Sequence, residues 1–209
     1  HNMNIPGDKY EIIIVGGDID YKTKNIKYIE FDDTQKIGWF TKKKNIITSH
    51  ANFENIVFLH DYYIFNKDWY KGFLKFGNDW DICMNKIHNL DGSRYRDWCV
   101  WSDPDLCYDG PITSKPSQGY GANHRIVLPP YDYNKTQFMY ISGGYWVVKK
   151  YVMQEYPQNE NLLMAQGEDL EWSERVLKSN KFTYKMNTNS LVSTLKDKRL
   201  SAEIIGFLK

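Results

Sequence analysis

The sequence predicts an α/β sandwich with a largely parallel central sheet. Short β-branched apolar runs alternate with longer helical patterns in the first part of the chain, the arrangement of strands joined by crossover helices. Those runs stop at glycine or at polar turn residues, so they read as buried strands. Between residues 91 and 136 the periodicity dissolves into a stretch rich in glycine and proline. A long irregular segment inside a compact domain is characteristic of binding loops.

The elements follow in order. Residues 10–15 form a β-branched run stopped by Gly16-Gly17, and 25–31 alternate as a second strand. Residues 37–52 read as a helix carrying Lys42, Lys43 and Lys44. Residues 55–59 are a strand ending abruptly at His60-Asp61. Residues 68–76 place Trp69, Phe73 and Phe76 on one side of a helix, and 80–84 form a further strand. Beyond the irregular stretch come a strand over 138–141, the pair Gly143-Gly144, and helices over 147–155 and 169–179. Two late strands follow over 182–186 and 191–195.

With 42% hydrophobic and 16% aromatic residues, the 209-residue chain can bury a core of its own and reads as one domain, 1–209. Its 27 basic and 26 acidic residues leave a net charge of +1, which argues against a dedicated nucleic-acid binder. The three cysteines, Cys83, Cys99 and Cys107, form neither a CxxC pair nor a zinc pattern. They fit a reducing compartment, so a cytoplasmic location is expected. No run of 18 apolar residues occurs and no signal peptide is visible.

Several constellations carry candidate chemistry. In Phe58-Leu59-His60-Asp61-Tyr62 a strand delivers an imidazole and a carboxylate to a loop, where they either share a divalent cation or serve as cap and turn residues. Gly167-Glu168-Asp169 opens an acidic helix start. One acid there is ordinary, because the helix dipole favours it, but two adjacent acids cannot both be the cap. A carboxylate so placed can deprotonate an acceptor hydroxyl. Glu171 and Arg175 are four apart and read as a structural pair. In Ser142-Gly143-Gly144-Tyr145-Trp146, paired glycines either admit a ligand close to the backbone or make a tight turn. Lys42-Lys43-Lys44-Asn45 reads as a solvated helix face or as a phosphate contact, and Arg94-Tyr95-Arg96-Asp97-Trp98 as a diphosphate grip or an Arg–Asp network.

Taken in chain order, these pieces resemble glycosyltransferase family 2 and its relatives. Segment 6–15 resembles that family's second strand. Lys44-Asn45 with Ala51 resembles its Arg-Asn…Ala helix, and 55–62 its strand ending in an Asp-x-Asp metal motif, with Trp69 following. Gly143-Gly144 and Gly167-Glu168-Asp169, with Arg175, resemble the downstream part that supplies the catalytic base. A similar Gly-Gly then Gly-Glu-Asp order occurs in β-1,4-galactosyltransferase-like enzymes.

The resemblance implies a GT-A-like three-layer sandwich with a mostly parallel central sheet. Residues 1–90 would form the nucleotide-sugar-binding half and 91–209 the acceptor-binding half. It implies transfer of a sugar from a nucleotide donor, UDP-linked, to an acceptor hydroxyl with inversion. Asp169 would be the general base, with Glu168 its competitor. Asp61 and His60 would hold a divalent cation, Mn2+ or Mg2+. Lys44, Asn45, Asp61, Arg94, Gly143 and Gly144 would contact the donor, and Tyr145, Trp146, Trp98 and Trp172 the acceptor, with residues 101–136 as a lid. The acceptor hydroxyl belongs to a glycan, protein, lipid or modified base.

The chain also departs from the family. His60-Asp61-Tyr62 replaces Asp-x-Asp, and Gly16-Gly17 stands where the family has a base-reading Asp, for which Asp18 is the substitute. The family opens with a strand and helix before the stretch matching Pro6. The expectation is that this first unit, roughly two dozen residues, is missing upstream. A nucleotidyltransferase of similar architecture and a non-catalytic carbohydrate-binding relative remain open alternatives.

Overall fold

The computed structural model describes residues 3–17, 23–101, 103, 126–164, 166–196 and 204–206. Asp18, Cys107 and most of the expected lid lie outside the described residues.

The architecture is α/β with a five-stranded sheet at its centre. The chain runs through β1 (Ile12–Val15), β2 (Ile26–Ile29), α1 (Phe40–His50), β3 (Asn55–Leu59), β4 (Tyr63–Phe65), α2 (Trp69–Phe76) and β5 (Ile82–Asn89). It continues through β6 (Cys99–Trp101), β7 (Ile126–Leu128), β8 (Met139–Tyr140), β9 (Tyr145–Lys149) and α3 (Lys150–Glu155). The last elements are α4 (Glu168–Leu177), β10 (Tyr184–Thr194) and β11 (Ile204–Gly206). The central sheet has the order β3-β9-β5-β10-β4, a second sheet the order β11-β7-β6-β8, and β1 pairs in parallel with β2.

The central sheet is mixed, which corrects the expectation of a mostly parallel one. β5 and β10 run parallel, but β9 lies antiparallel between β3 and β5, and β4 is antiparallel to β10. A parallel neighbour needs a crossover of a dozen or more residues. β10 has one, because α4 precedes it. β9 is reached instead through the short turn after β8 and so enters in the reverse direction.

Two further expectations change. The helix expected over 147–155 begins only at Lys150, because Tyr145–Lys149 is a strand. All five of its residues are buried, and a short β-branched run covered on both faces has no helical period to satisfy. The strands expected over 182–186 and 191–195 form one strand, β10, with an irregularity between Asn187 and Leu191.

That irregularity is fitted to α2. Ser190 Oγ donates to the Trp69 carbonyl at 2.8 Å. Gly72 sits so close that an added Cβ would lie 2.3 Å from Ser190 Oγ and 2.4 Å from the Asn189 carbonyl oxygen. The same helix packs Trp69 on Phe73 with ring centroids 4.6 Å apart. In the core, the Trp146 ring lies 4.6 Å from Trp172 and 4.8 Å from Phe58, joining α4 to β9 and β3. Cys83 and Cys99 are buried free thiols, and burial pushes Cys99 up to about 12. Among the described residues, no helix is long and apolar enough to cross a membrane.

The α2–β10 contact is tested by Gly72→Ala. The methyl group meets the Asn189 backbone as well as the Ser190 hydroxyl, and the backbone cannot swing aside, so the expected cost is about 1–3 kcal/mol of stability in urea unfolding. A variant as stable as the parent would show that this contact yields without strain.

Candidate active site

A cleft of about 150 Å³ opens where the expected halves 1–90 and 91–209 meet. One wall is the turn from β3 to β4, which supplies His60, Tyr62 and Tyr63. A second is the segment between β5 and β6, with Tyr95 and Arg96. β8 and the turn after it give Tyr140, Ser142, Gly143 and Gly144, and the start of α4 gives Glu168 and Asp169.

The carboxylates owe their position to Gly167. It precedes α4 in a left-handed conformation, φ 74° and ψ 35°, which a residue without Cβ adopts freely. The helix then begins at once with Glu168 and Asp169, where its positive end favours negative charge. Asp169 Oδ2 accepts the Gly143 N–H at 3.2 Å, and its Oδ1 accepts the Leu170 N–H at 3.0 Å. Ser173 locks the turn beneath. Its hydroxyl donates to the Asp169 carbonyl at 2.7 Å and accepts the Ile141 N–H at 3.0 Å.

The paired glycines are explained by close approach. A Cβ on Gly143 would lie 3.1 Å from Asp169 Oδ2. One on Gly144 would lie 3.0 Å from both the Tyr62 and Tyr63 hydroxyl oxygens. The backbone is thus pressed against cleft side chains.

Behind Gly143 lies Lys44. The three lysines of α1 have separate partners. Lys42 pairs with Glu160 at 2.8 Å and Lys43 with Asp33 at 2.6 Å, while Lys44 turns inward and donates to the Gly143 carbonyl at 3.2 Å. Burial lowers the Lys44 pKa, against the pull of Glu168 and Asp169. Burial raises the Glu168 pKa; the Asp169 charge adds to the rise and Lys44 opposes it.

The structure brings His60, Gly143, Gly144, Glu168 and Asp169 together in the cleft, with Lys44 beneath them. It places the other expected contacts elsewhere. Tyr145, Trp146, Trp98 and Trp172 are core residues. The Tyr145 hydroxyl donates to Asn85 and accepts from Trp69, Trp98 Nε1 donates to the Tyr133 carbonyl, and Trp172 Nε1 to the Tyr156 carbonyl. Asn45 binds Gln158 and Glu160, fastening α1 to the loop before α4. Arg94 holds Asp97 at 2.6 Å and the Pro129 carbonyl at 2.9 Å, the network reading of its segment. Arg175 binds Glu171 at 2.8 Å, as its spacing predicts.

The cation site implied by the resemblance does not fit these positions. Asp61 is exposed and does not line the cleft, and His60 Nδ1 lies 3.1 Å from the Tyr62 hydroxyl. Among the described residues, no three His, Cys, Asp or Glu side chains converge. Arg96 belongs to the segment read as a diphosphate grip or an Arg–Asp network, and of its two arginines Asp97 takes Arg94, leaving Arg96 in the cleft. Tyr63 and Tyr140 carry no signal in the sequence that marks them as contacts.

No protein-family model matches the chain, and no curated protein matches it. Among solved structures, the chain is similar to TarS of S. aureus, residues 1–349, a glycosyltransferase. The TM-score is 0.51 at 14% identity, over 94% of this chain and 52% of that one. HddC of Yersinia pseudotuberculosis, a sugar nucleotidyltransferase-like enzyme, gives a TM-score of 0.41 at 13% identity, over 82% of this chain and 61% of that one. The chain therefore spans about half the length of the TarS fragment. The likeness to TarS shows the fold alone, an α/β architecture with a central sheet.

The electrostatic coupling has a direct test. The Lys44 charge favours the ionised form of Glu168, so Lys44→Met moves the Glu168 titration to higher pH. Asp169→Asn removes a like charge and moves it to lower pH. Carboxyl-labelled NMR titration measures both, and shifts in the same direction would refute the coupling.

Proposed function

We propose that this chain is a glycosyltransferase that moves a sugar from a nucleotide-sugar donor, UDP-linked, to an acceptor hydroxyl with inversion, and that Asp169 is its general base. The supporting observation is the placement of the Asp169 carboxylate. It is held by the Gly143 and Leu170 N–H groups, and its charge is felt by Tyr95, Arg96 and Tyr140, which line the same cleft. Glu168 is coupled to Asp169 and to Lys44. Each Asp169 oxygen keeps a lone pair beyond the one already bonded, so the group can still take a proton from a bound hydroxyl.

In the reaction Asp169 accepts the hydroxyl proton as the oxygen bonds to the anomeric carbon. The bond from that carbon to the donor phosphate breaks, and the electron pair leaves on the nucleoside diphosphate. Fixing the base before substrate arrives removes a positional cost from the transition state. Glu168 and Lys44 compensate each other in charge beside it, and the tyrosine hydroxyls provide hydrogen-bonding groups for sugar oxygens.

The test is transfer from a panel of nucleotide sugars. Asp169→Asn is expected to lower the transfer rate by about 10²–10⁴-fold, the usual contribution of a positioned base, while donor binding persists. Undiminished transfer by that variant would overturn the assignment. Release of pyrophosphate in place of a transferred sugar would overturn the reaction class.

A thermal-shift panel identifies the donor independently. A nucleotide sugar present at about 100 times its Kd stabilises the native state by about 2.7 kcal/mol, visible as a raised Tm. Running the panel with and without manganese measures cation dependence, and no shift with any nucleotide sugar would count against the donor class.

A further inference from the structure

We propose that Arg96 is an oxyanion-binding residue of the cleft and that its ligand is a phosphoryl group. Its place in sugar transfer rests on the reading above, but the binding of an anion does not.

The argument begins with an imbalance. Arg96 is largely buried, its Nε is inaccessible, and that atom has no hydrogen-bond partner. Among the described residues no carboxylate pairs with its guanidinium, whereas the neighbouring Arg94 is saturated by Asp97, Pro129 and Trp98. Removing a guanidinium from water without supplying acceptors is costly, and native proteins rarely leave one so. Arg96 lines the cleft, so the missing acceptor can come from there.

A second orphan lies in the same cleft. The Tyr140 hydroxyl is buried with only the weak acceptor of the Cys99 thiol beside it, so it lacks a full oxygen acceptor. Burial holds its pKa well above the ordinary range, so it remains a neutral O–H donor. A guanidinium fork and a hydroxyl donor, both short of acceptors in one small cleft, match a ligand that carries acceptors only. A phosphoryl group is such a ligand, and its geometry suits the two parallel bonds an arginine offers.

The other charges do not fill this role. Glu168 and Asp169 repel an anion at their own end, and Lys44 is shielded behind the Gly143 carbonyl. Among the described residues that line the cleft, Arg96 is the one arginine or lysine available to an oxyanion. It supplies positive charge in a cleft where His60 and Asp61 do not assemble a cation site. The phosphoryl group has two possible sources: the diphosphate of a nucleotide donor, or a phosphate borne by the acceptor.

The experiment is calorimetric titration of the whole chain with pyrophosphate, UDP, inorganic phosphate and uncharged uridine. It compares the parent with Arg96→Met and Arg96→Lys. Loss of a charge-assisted contact is expected to weaken binding of the preferred anion about 10–100-fold in Arg96→Met, with partial recovery in Arg96→Lys and no change for uridine. Equal losses for UDP and pyrophosphate assign the group to the donor. A loss confined to inorganic phosphate, with UDP unchanged, assigns it to the acceptor. Anion binding unaffected by either substitution, or absent from the parent, overturns the proposal.

A measurement on the unmodified sequence guards against misfolded variants. Phenylglyoxal should modify Arg96, detected by peptide mass spectrometry, and saturating pyrophosphate should protect it, with Arg94, held by Asp97 and two carbonyls, as the internal control. No protection, or no reaction at Arg96 in the free protein, overturns the proposal. Loss of transfer in Asp169→Asn with Arg96-independent anion binding sinks this proposal alone. Arg96-dependent anion binding without sugar transfer from any donor sinks the glycosyltransferase reading alone.

Discussion

One buried ammonium group organises the cleft. Lys44 projects from α1, bonds the Gly143 carbonyl, and senses both carboxylates at the start of α4. Three separate parts of the chain are brought into register by that group. The arrangement is costly in isolation, because burying an ammonium forfeits its hydration. It is tolerable because the carbonyl contact and two negative charges compensate. The other side of Gly143 presents its N–H to Asp169, so a single peptide segment carries the effect of the cation to the carboxylate through a rigid backbone. The tight spacing at Gly143 and Gly144 follows, since a side chain at either position would meet the groups that the junction holds in place.

Around α4, Glu168 and Asp169 stand against the single charge of Lys44. Arg96, whose Nε has no acceptor, and Tyr140 line the same cleft. The metal-motif position is the point at which this chain departs from the family it resembles, and the turn after β3 carries aromatic and imidazole groups there instead.

Much of the local structure was legible in the sequence, because local patterns determine it. The β3 run Asn55–Leu59 has turn residues after it and was bounded correctly, and the side of α2 carrying Trp69 and Phe73 is visible from helical spacing. Gly167-Glu168-Asp169 was readable because a left-handed glycine before paired acids is a local signal. Facing is another matter. Tyr145, Trp146, Trp98 and Trp172 look like ligand-stacking aromatics by residue type, but which aromatics are covered depends on neighbours brought from far along the chain. The same limit applies to the choice between two arginines. The sequence presents Arg94 and Arg96 as near equivalents, and only the folded position of Asp97 decides which one is spent on the scaffold. The strand β9 was read as a helix start for a related reason: its partners β3 and β5 are remote in sequence.

The position of β9 also governs how the sheet can be assembled. β3 and β5 are both translated well before the strand that fits between them, and β10 comes later still. Until β9 arrives, neither early strand has its shared neighbour, and their backbone donors and acceptors can only bind water or another chain. Topologies closed by distant partners fold slowly and expose strand edges while they wait. The strand whose preceding turn builds the cleft is therefore also the one that joins β3 to the rest of the central sheet, so active-site geometry and the covering of an early strand edge depend on the same segment.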